Sequence, residues 1–182
     1  MVILASASPR RKELLRQIFP QYEIIPALGK EMADKTLPPK DYVASLAEQK
    51  CEEVFSSHPD CLVIGCDTIV VFNGKILGKP QNAQDAEDTL KALSGKTHQV
   101  MTGVCIHTPQ KKLVKVDVTE VTFNDLSQEF IKKYVAGGSP MDKAGSYGIQ
   151  DGGVVKSYSG SYTNVVGLPV ELIKTMVKEL SS

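Results

Sequence analysis

The chain has 182 residues, enough for one domain, or one domain in two lobes, with a real core. Its 21 Lys and Arg balance 21 Asp and Glu, so a general electrostatic grip on nucleic acid or on an acidic membrane is disfavoured. The longest apolar run, Cys61 to Phe72, contains Asp67 and is too short to span a bilayer, and no secretory signal stands at the N-terminus.

Strand-like and helix-like segments alternate, which predicts an α/β fold. Val2-Ile3-Leu4-Ala5 reads as part of a first strand, Met1 to Ala5, and Ser6-Ala7-Ser8 as a small-residue turn. A helix then runs from Pro9 to about Gln17, with Pro well placed in its first turn and Ser6 or Ser8 as a cap for the free amides. Arg11 begins the stripe that Leu14, Leu15 and Ile18 continue. Amides, hydroxyls, Arg10 and Arg11 thus converge at a positive helix end, an arrangement that suits phosphate, although a capped surface helix with two solvated arginines would read alike. A strand near Glu23 to Pro26 precedes a polar loop, Gly29 to Lys40, and a helix from Asp41 to Ser56. The long strand Cys61 to Phe72 turns at Asn73-Gly74 and returns over Lys75 to Leu77. A helix from Asn82 to Leu93 leads to strands Gln99 to His107 and Lys112 to Phe123, joined by a second hairpin. A helix from Ser127 to Ala136, a Gly-rich loop from Gly137 to Gly153, a strand from Val154 to Tyr158 and a helix from Pro169 to Leu180 complete the chain. The hairpins make the sheet mixed rather than purely parallel.

Several charges stand where apolar residues are expected. Lys50 falls on the stripe of Val43, Leu46, Ala47, Cys51 and Val54, so it must snorkel or meet an anion. Asp67 interrupts a strand of Leu, Val, Ile and Cys. Left alone it would be costly, so it must meet a metal, a basic group or a water that it activates, unless it ends one strand and caps a turn. Gly65 beside it marks a bulge or a close backbone approach. Lys79, in Gly78-Lys79-Pro80, is a phosphate contact or one more solvated lysine. Glu31 in the polar loop is a metal ligand or an ordinary surface glutamate, and Asp142-Lys143 is equally open. Cys51, Cys61, Cys66 and Cys105 lack C-x-x-C spacing and read as reduced core thiols of a cytoplasmic protein. His58, His98 and His107 are scattered and suggest no zinc site. Gly95-Lys96-Thr97 imitates the tail of a P-loop, but Leu90 stands where the first Gly is required. Neither a Rossmann G-x-G-x-x-G after a strand nor a G-x-S-x-G nucleophile elbow is present.

In order along the chain, Leu4 to Leu15, Val63-Ile64-Gly65-Cys66-Asp67-Thr68, Leu77-Gly78-Lys79-Pro80, Leu93 to His98, Thr119 to Phe123, Asp142 to Gln150 and Val165 to Pro169 resemble the motifs of the Maf family of nucleoside triphosphate pyrophosphatases. The resemblance covers 1–182 as one domain. It implies a mixed central sheet flanked by helices, two lobes and a deep cleft, in the manner of Maf and inosine-triphosphatase-like folds. It implies hydrolysis of a nucleoside triphosphate to monophosphate and pyrophosphate with Mg²⁺ or Mn²⁺. Asp67 matches the catalytic aspartate, as proton acceptor or as holder of a metal-bound hydroxide. Arg10, Thr68 and Gln150 match the positions that separate subgroups, and this combination is similar to the one that prefers dTTP and UTP, with CTP and modified pyrimidines within reach. Ser6, Ser8, Arg10, Arg11, Lys50 and Lys79 are the implied phosphate contacts, and Glu31 and Asp67 the implied metal ligands. The expected partner is the nucleotide alone, without nucleic acid or membrane, and a homodimer is compatible with it. An influence on cell division is allowed. The competing readings are a 7-methyl-GTP pyrophosphatase and a non-catalytic nucleotide-binding regulator of septum formation. Leu28-Gly29-Lys30 departs from the acids often found before Glu31, which weakens a carboxylate-rich metal site. Ser146 replaces the usual Ala and Thr163 a common Ser, both read as mild changes.

Overall fold

A computed structural model describes residues 1–182. It contains β1 (Val2–Leu4), α1 (Pro9–Leu15), β2 (Glu23–Ile24), α2 (Pro39–Ser57), β3 (Leu62–Phe72), β4 (Lys75–Leu77), α3 (Ala83–Leu93), β5 (Thr97–His107), β6 (Lys112–Phe123), α4 (Gln128–Ala136), β7 (Val155–Ser159), α5 (Tyr162–Val166) and α6 (Val170–Leu180). The strands pair in the order β2-β1-β3-β5-β6-β7, with β4 on β3. β1 is parallel to β2 and β3, whereas β3–β4 and β6–β7 are antiparallel, so the sheet is mixed as expected. No helix is long and apolar enough to cross a membrane.

The chain divides into two compact units, 1–68 with 101–117 and 163–182, and 69–100 with 118–162, whose boundaries fall inside β3, β5, β6 and α5. In the first unit the period-two alternation of the strands builds two cores. Leu4, Ile64, Val104 and Ile106 meet Leu15 of α1 and Ile173 and Met176 of α6 on one face. Ile3, Val63 and Cys105 meet Cys51 and Val54 of α2 on the other. All of these are at most 4% exposed, and each large side chain contributes on the order of 2 kcal/mol by leaving water. In the second unit α3 and α4 pack against each other, and α3 also packs against the 3₁₀ turns Ser139–Asp142 and Ala144–Ser146. Within this unit the buried rings of His98, Phe123 and Tyr147 meet edge to face.

The differences from expectation are local. α1 stops at Leu15, because 16–18 form a turn. α2 starts two residues earlier, at Pro39, whose fixed φ and missing N–H suit a first turn. The Gly-rich stretch holds two 3₁₀ turns, and α5 is too short to show a period. Thr163 is a mild change: its hydroxyl accepts from the Val170 amide at 3.0 Å and so caps α6. Ser146 is not mild. Its φ is +65°, its side chain is fully buried, and its hydroxyl has no hydrogen-bond partner in the protein.

Replacing Ser146 by Ala removes that unpaired hydroxyl and should raise stability by about 1 kcal/mol in urea titrations. His98 is fully buried with Nε2 at 2.7 Å from Tyr147 Oη, and burial lowers its pKa from 6.5 to about 4. The unfolded chain therefore takes a proton near pH 6.5 that the folded chain refuses until about pH 4. Stability from this group is complete above pH 6.5 and is lost as pH falls towards 4, with about 2 kcal/mol gone between pH 7 and pH 5. His98→Gln, which keeps a polar partner for Tyr147, should lose less on that step.

Candidate active site

The first unit gathers most of the charged and hydroxyl residues singled out in the sequence. Ser8 is the N-cap of α1, its Oγ accepting from the Arg11 amide at 3.4 Å, and Pro9 opens the helix. Ser6 Oγ accepts from the Ser8 amide at 3.2 Å and from Arg11 Nη1 at 3.4 Å. Both of its lone pairs are therefore engaged, and its own proton is left to donate. The Ser8 hydroxyl, acceptor for one amide, likewise keeps its proton. The turn thus offers O–H donors at the positive end of α1. Arg10, half-buried, belongs to the same first turn.

Arg11 departs from a simple phosphate contact. Its Nε donates to the Gly167 carbonyl at 2.7 Å, Nη1 to Ser6, and Nη2 to Thr68 Oγ1 at 3.1 Å. Three of the five N–H groups of a guanidinium are thereby bound within the protein, leaving two. Thr68 Oγ1 also lies 2.9 Å from Thr102 Oγ1, and Thr102 donates its proton to the Asn164 carbonyl at 3.1 Å. Thr102 has only one proton, so Thr68 must donate to Thr102 and accept from Arg11. The hydroxyl at 68 is oriented by this chain of bonds, and α1 is tied to the residue beside Asp67.

Asp67 lies inside β3, which rules out a strand end there. It meets a base: Lys50 Nζ is 2.6 Å from Asp67 Oδ1 and 3.1 Å from Glu31 Oε1, with the three side chains 22%, 13% and 56% exposed. Lys50 has met its anion rather than snorkelled. The cause is close docking of α2. A Cβ on Gly65 would stand 2.6 Å from Ala47 O and 2.7 Å from Cys51 N, and one on Gly103 would stand 2.5 Å from Val43 O. Only glycine at these points of β3 and β5 lets the α2 backbone come so near. Gly65 and Asp67 share a strand face, and so Lys50 arrives over the carboxylate. Cys66, on the opposite face, is no nucleophile, since burial pushes its thiol up to about 11. The other cysteines are free thiols as well.

No group of three His, Cys, Asp or Glu side chains forms a metal cage. Glu31 and Asp67 nevertheless converge on one cation, the Lys50 ammonium. Two carboxylates completed by substrate phosphate oxygens are the donor set that Mg²⁺ or Mn²⁺ takes, so these residues fit such an ion.

Lys79 and Gln150 lie in the second unit, both exposed. The Gly78 carbonyl accepts from the Gly145 amide at 3.2 Å, which ties the Lys79 loop to the 3₁₀ turn Ala144–Ser146. Gln150 sits in a turn closed by the Asp151 amide on the Gly148 carbonyl at 3.0 Å. Tyr134 Oη accepts from the Gly148 amide at 3.1 Å and donates to Asp151 Oδ2 at 2.5 Å, and Ser139 Oγ adds a bond to the same oxygen at 2.8 Å. Partial burial opposes the charge on Asp151, but the bonds from Tyr134 and Ser139, with Lys143, outweigh it and hold its pKa below the usual carboxylate value. Lys143 itself binds the Ser139 carbonyl at 2.6 Å and Asp142 at 3.0 Å, a structural use of that pair.

Sequence reasoning passed over Thr102, Tyr134, Ser139 and Asp151. Thr102 had a signal, a hydroxyl inside the apolar run Val100 to Ile106. The others lie among ordinary polar residues, and only the folded turn reveals their use.

The family described as "Maf-like protein" matches residues 1–180. A protein of Bacillus velezensis named "dTTP/UTP pyrophosphatase" is 46% identical over 182 residues, covering 99% of this chain and 96% of its own length. A Bacillus mycoides protein of the same name is 45% identical over 183 residues, covering 100% and 96%. Among solved structures, the Staphylococcus aureus Ham1 protein aligns over 98% of both chains with a TM-score of 0.57 at 14% identity, a likeness of fold.

Gly65→Ala should test the docking of α2. The new methyl meets backbone atoms that cannot rotate away, so a stability loss of about 1–3 kcal/mol is expected in chemical denaturation. Lifting α2 also moves Lys50 from Asp67, and any activity that depends on the Asp67 carboxylate should fall by at least about tenfold even where the variant remains folded.

Proposed function

This chain belongs to the Maf-like protein family, and from that premise we propose that it is a nucleoside triphosphate pyrophosphatase acting on dTTP and UTP. Relatives of that name, 45% and 46% identical over nearly the whole chain, support the substrate. The observation that carries the chemistry is the ammonium of Lys50 between Asp67 and Glu31, beside donors at the α1 N-terminus. A binding module would have no need of a carboxylate embedded in an apolar strand.

Water attacks the α-phosphorus, the bond from that phosphorus to the bridging oxygen breaks, and pyrophosphate leaves with the electron pair. Negative charge grows on the transferred and leaving phosphoryl groups. The Ser6 and Ser8 hydroxyls, Arg10 and the remaining N–H groups of Arg11 are the donors offered to that charge. Lys50 holds Asp67 Oδ1, which leaves Oδ2 to take the proton of the attacking water. Glu31 and Asp67 would hold Mg²⁺ or Mn²⁺, which supplies neutralisation and polarisation of the phosphoryl oxygens. Lys79 enters the reading through the family motif as a further phosphate contact. Gln150 enters it likewise, its amide offering a donor and an acceptor to the carbonyl and N3–H of a pyrimidine. Thr68 acts in this reading by fixing Arg11. An amide that rotates also admits CTP and some modified pyrimidines. Free thiols and zero net charge support a cytoplasmic enzyme that needs no nucleic acid.

The test is pyrophosphate release from dTTP, UTP, CTP and 7-methyl-GTP with Mg²⁺ and with Mn²⁺, beside Asp67→Asn. Turnover of dTTP and UTP is expected, reduced by at least about a hundredfold in Asp67→Asn without a change in folding. Turnover of 7-methyl-GTP alone would keep the chemistry and overturn the substrate. Absence of all turnover, with nucleotide still bound, would leave a regulator rather than an enzyme.

A further inference from the structure

The segment 28–33 has no helix or strand of its own, yet it carries Glu31. One face of α2 grips it at three successive points. Glu53 Oε1 accepts from the Leu28 and Gly29 amides at 2.8 and 3.0 Å, and Glu53 Oε2 accepts from the Gly29 amide at 3.0 Å. Lys50 holds the Glu31 carboxylate at 3.1 Å. Gln49 treats Met32 as a neighbouring strand would, with Oε1 accepting from its amide at 2.9 Å and Nε2 donating to its carbonyl at 2.5 Å. Positions 49 and 53, and 50 and 53, are helical neighbours, so the three side chains act from one surface.

Two further observations favour a purpose-built grip. A Cβ on Gly29 would stand 2.6 Å from Glu53 Oε2, so any larger residue would push the carboxylate away from the amides. Leu28 and Met32 are 86% and 77% exposed, so apolar burial does not anchor the segment and the polar bonds must. Without them, the conformational entropy of this backbone would have to be given up at the moment Glu31 is needed.

We propose that Gln49 and Glu53 are positioning residues which place the Glu31 carboxylate at Lys50 and Asp67 and so set the affinity for the divalent cation, although neither touches it. This rests on the reading of Glu31 as a ligand of that cation. A side chain that orients a ligand acts on metal affinity before it acts on the rate at saturation.

The experiment measures the Mn²⁺ dependence of dTTP hydrolysis and hydrogen exchange at the Leu28, Gly29 and Met32 amides in the full chain, for Gln49→Ala, Glu53→Ala, Glu53→Gln and Glu31→Ala. Gln49→Ala and Glu53→Ala should raise the half-saturating Mn²⁺ by about tenfold. Their kcat at saturating Mn²⁺ should stay within about twofold, because the positioned group is still supplied once the ion is bound. Exchange at the three amides should quicken while that of β1 and β3 stays unchanged. Glu53→Gln, which keeps an acceptor oxygen, should recover part of both effects. Quickened exchange with an unchanged Mn²⁺ requirement overturns the proposal, as does unchanged exchange. If Glu31→Ala raises the Mn²⁺ requirement and the α2 variants do not, the positioning role alone falls. If Glu31→Ala has no effect either, the cation reading of Glu31 falls and the positioning role falls with it.

Discussion

The close seating of α2 on β3 and β5 is the constraint on which the site depends. Two glycines, Gly65 and Gly103, let helix backbone approach strand backbone to distances that a methyl group would forbid. The gain is partly packing, since Cys51 and Val54 reach the core beside Ile3 and Val63. It is also chemical. A lysine on the buried stripe of a helix and an aspartate inside an apolar strand would each be costly alone. Brought to 2.6 Å, they satisfy one another and form the charged centre of the first unit. Removing Lys50 would leave Asp67 sheltered and unpaired, which is the expensive outcome, whereas Lys50 keeps Glu31 when Asp67 is lost.

Around that centre the hydroxyl groups have defined directions. Thr102 gives its proton to Asn164, which makes Thr68 give its own to Thr102 and accept from Arg11. Ser6 accepts twice and is left as a donor. A set of hydroxyls whose polarity is settled before substrate arrives has little reorganisation to undergo when phosphoryl charge develops. Arg11 is the hinge of this arrangement. Its guanidinium joins α1, the end of α5 and the residue after Asp67, so its removal would disturb three elements rather than one phosphate contact.

The two exposed segments that carry Glu31 and Gln150 are held in a common manner. The Glu31 segment has no apolar anchor at Leu28 or Met32, whereas the Gln150 turn follows the buried Tyr147. Glu53 binds successive amides beside Glu31, while Tyr134 and Ser139 bind the carboxylate next to Gln150. Such anchoring fixes the backbone of each segment while the side chains of Glu31 and Gln150 stand at the surface.

Much of this was legible in the chain itself. The alternation of strand and helix patterns, the Asn73-Gly74 turn and a serine cap on α1, at Ser6 or Ser8, follow from periodicity and backbone preference, which act locally. Lys50 and Asp67 announced themselves because charge among apolar residues is costly anywhere in a fold. What the sequence could not determine is which opposite charge each would meet, since 17 positions separate Lys50 from Asp67 and only the docking of α2 brings them together. The same holds for Arg11, whose partner Gly167 is 156 positions away, and for Gln49 and Glu53, whose polar positions on a helix look ordinary until a loop lies across them. Residue type and spacing determined the elements and marked the anomalous charges. Tertiary structure decided the partners, because hydrogen bonds and ion pairs are settled by distances of a few ångströms that no local pattern encodes.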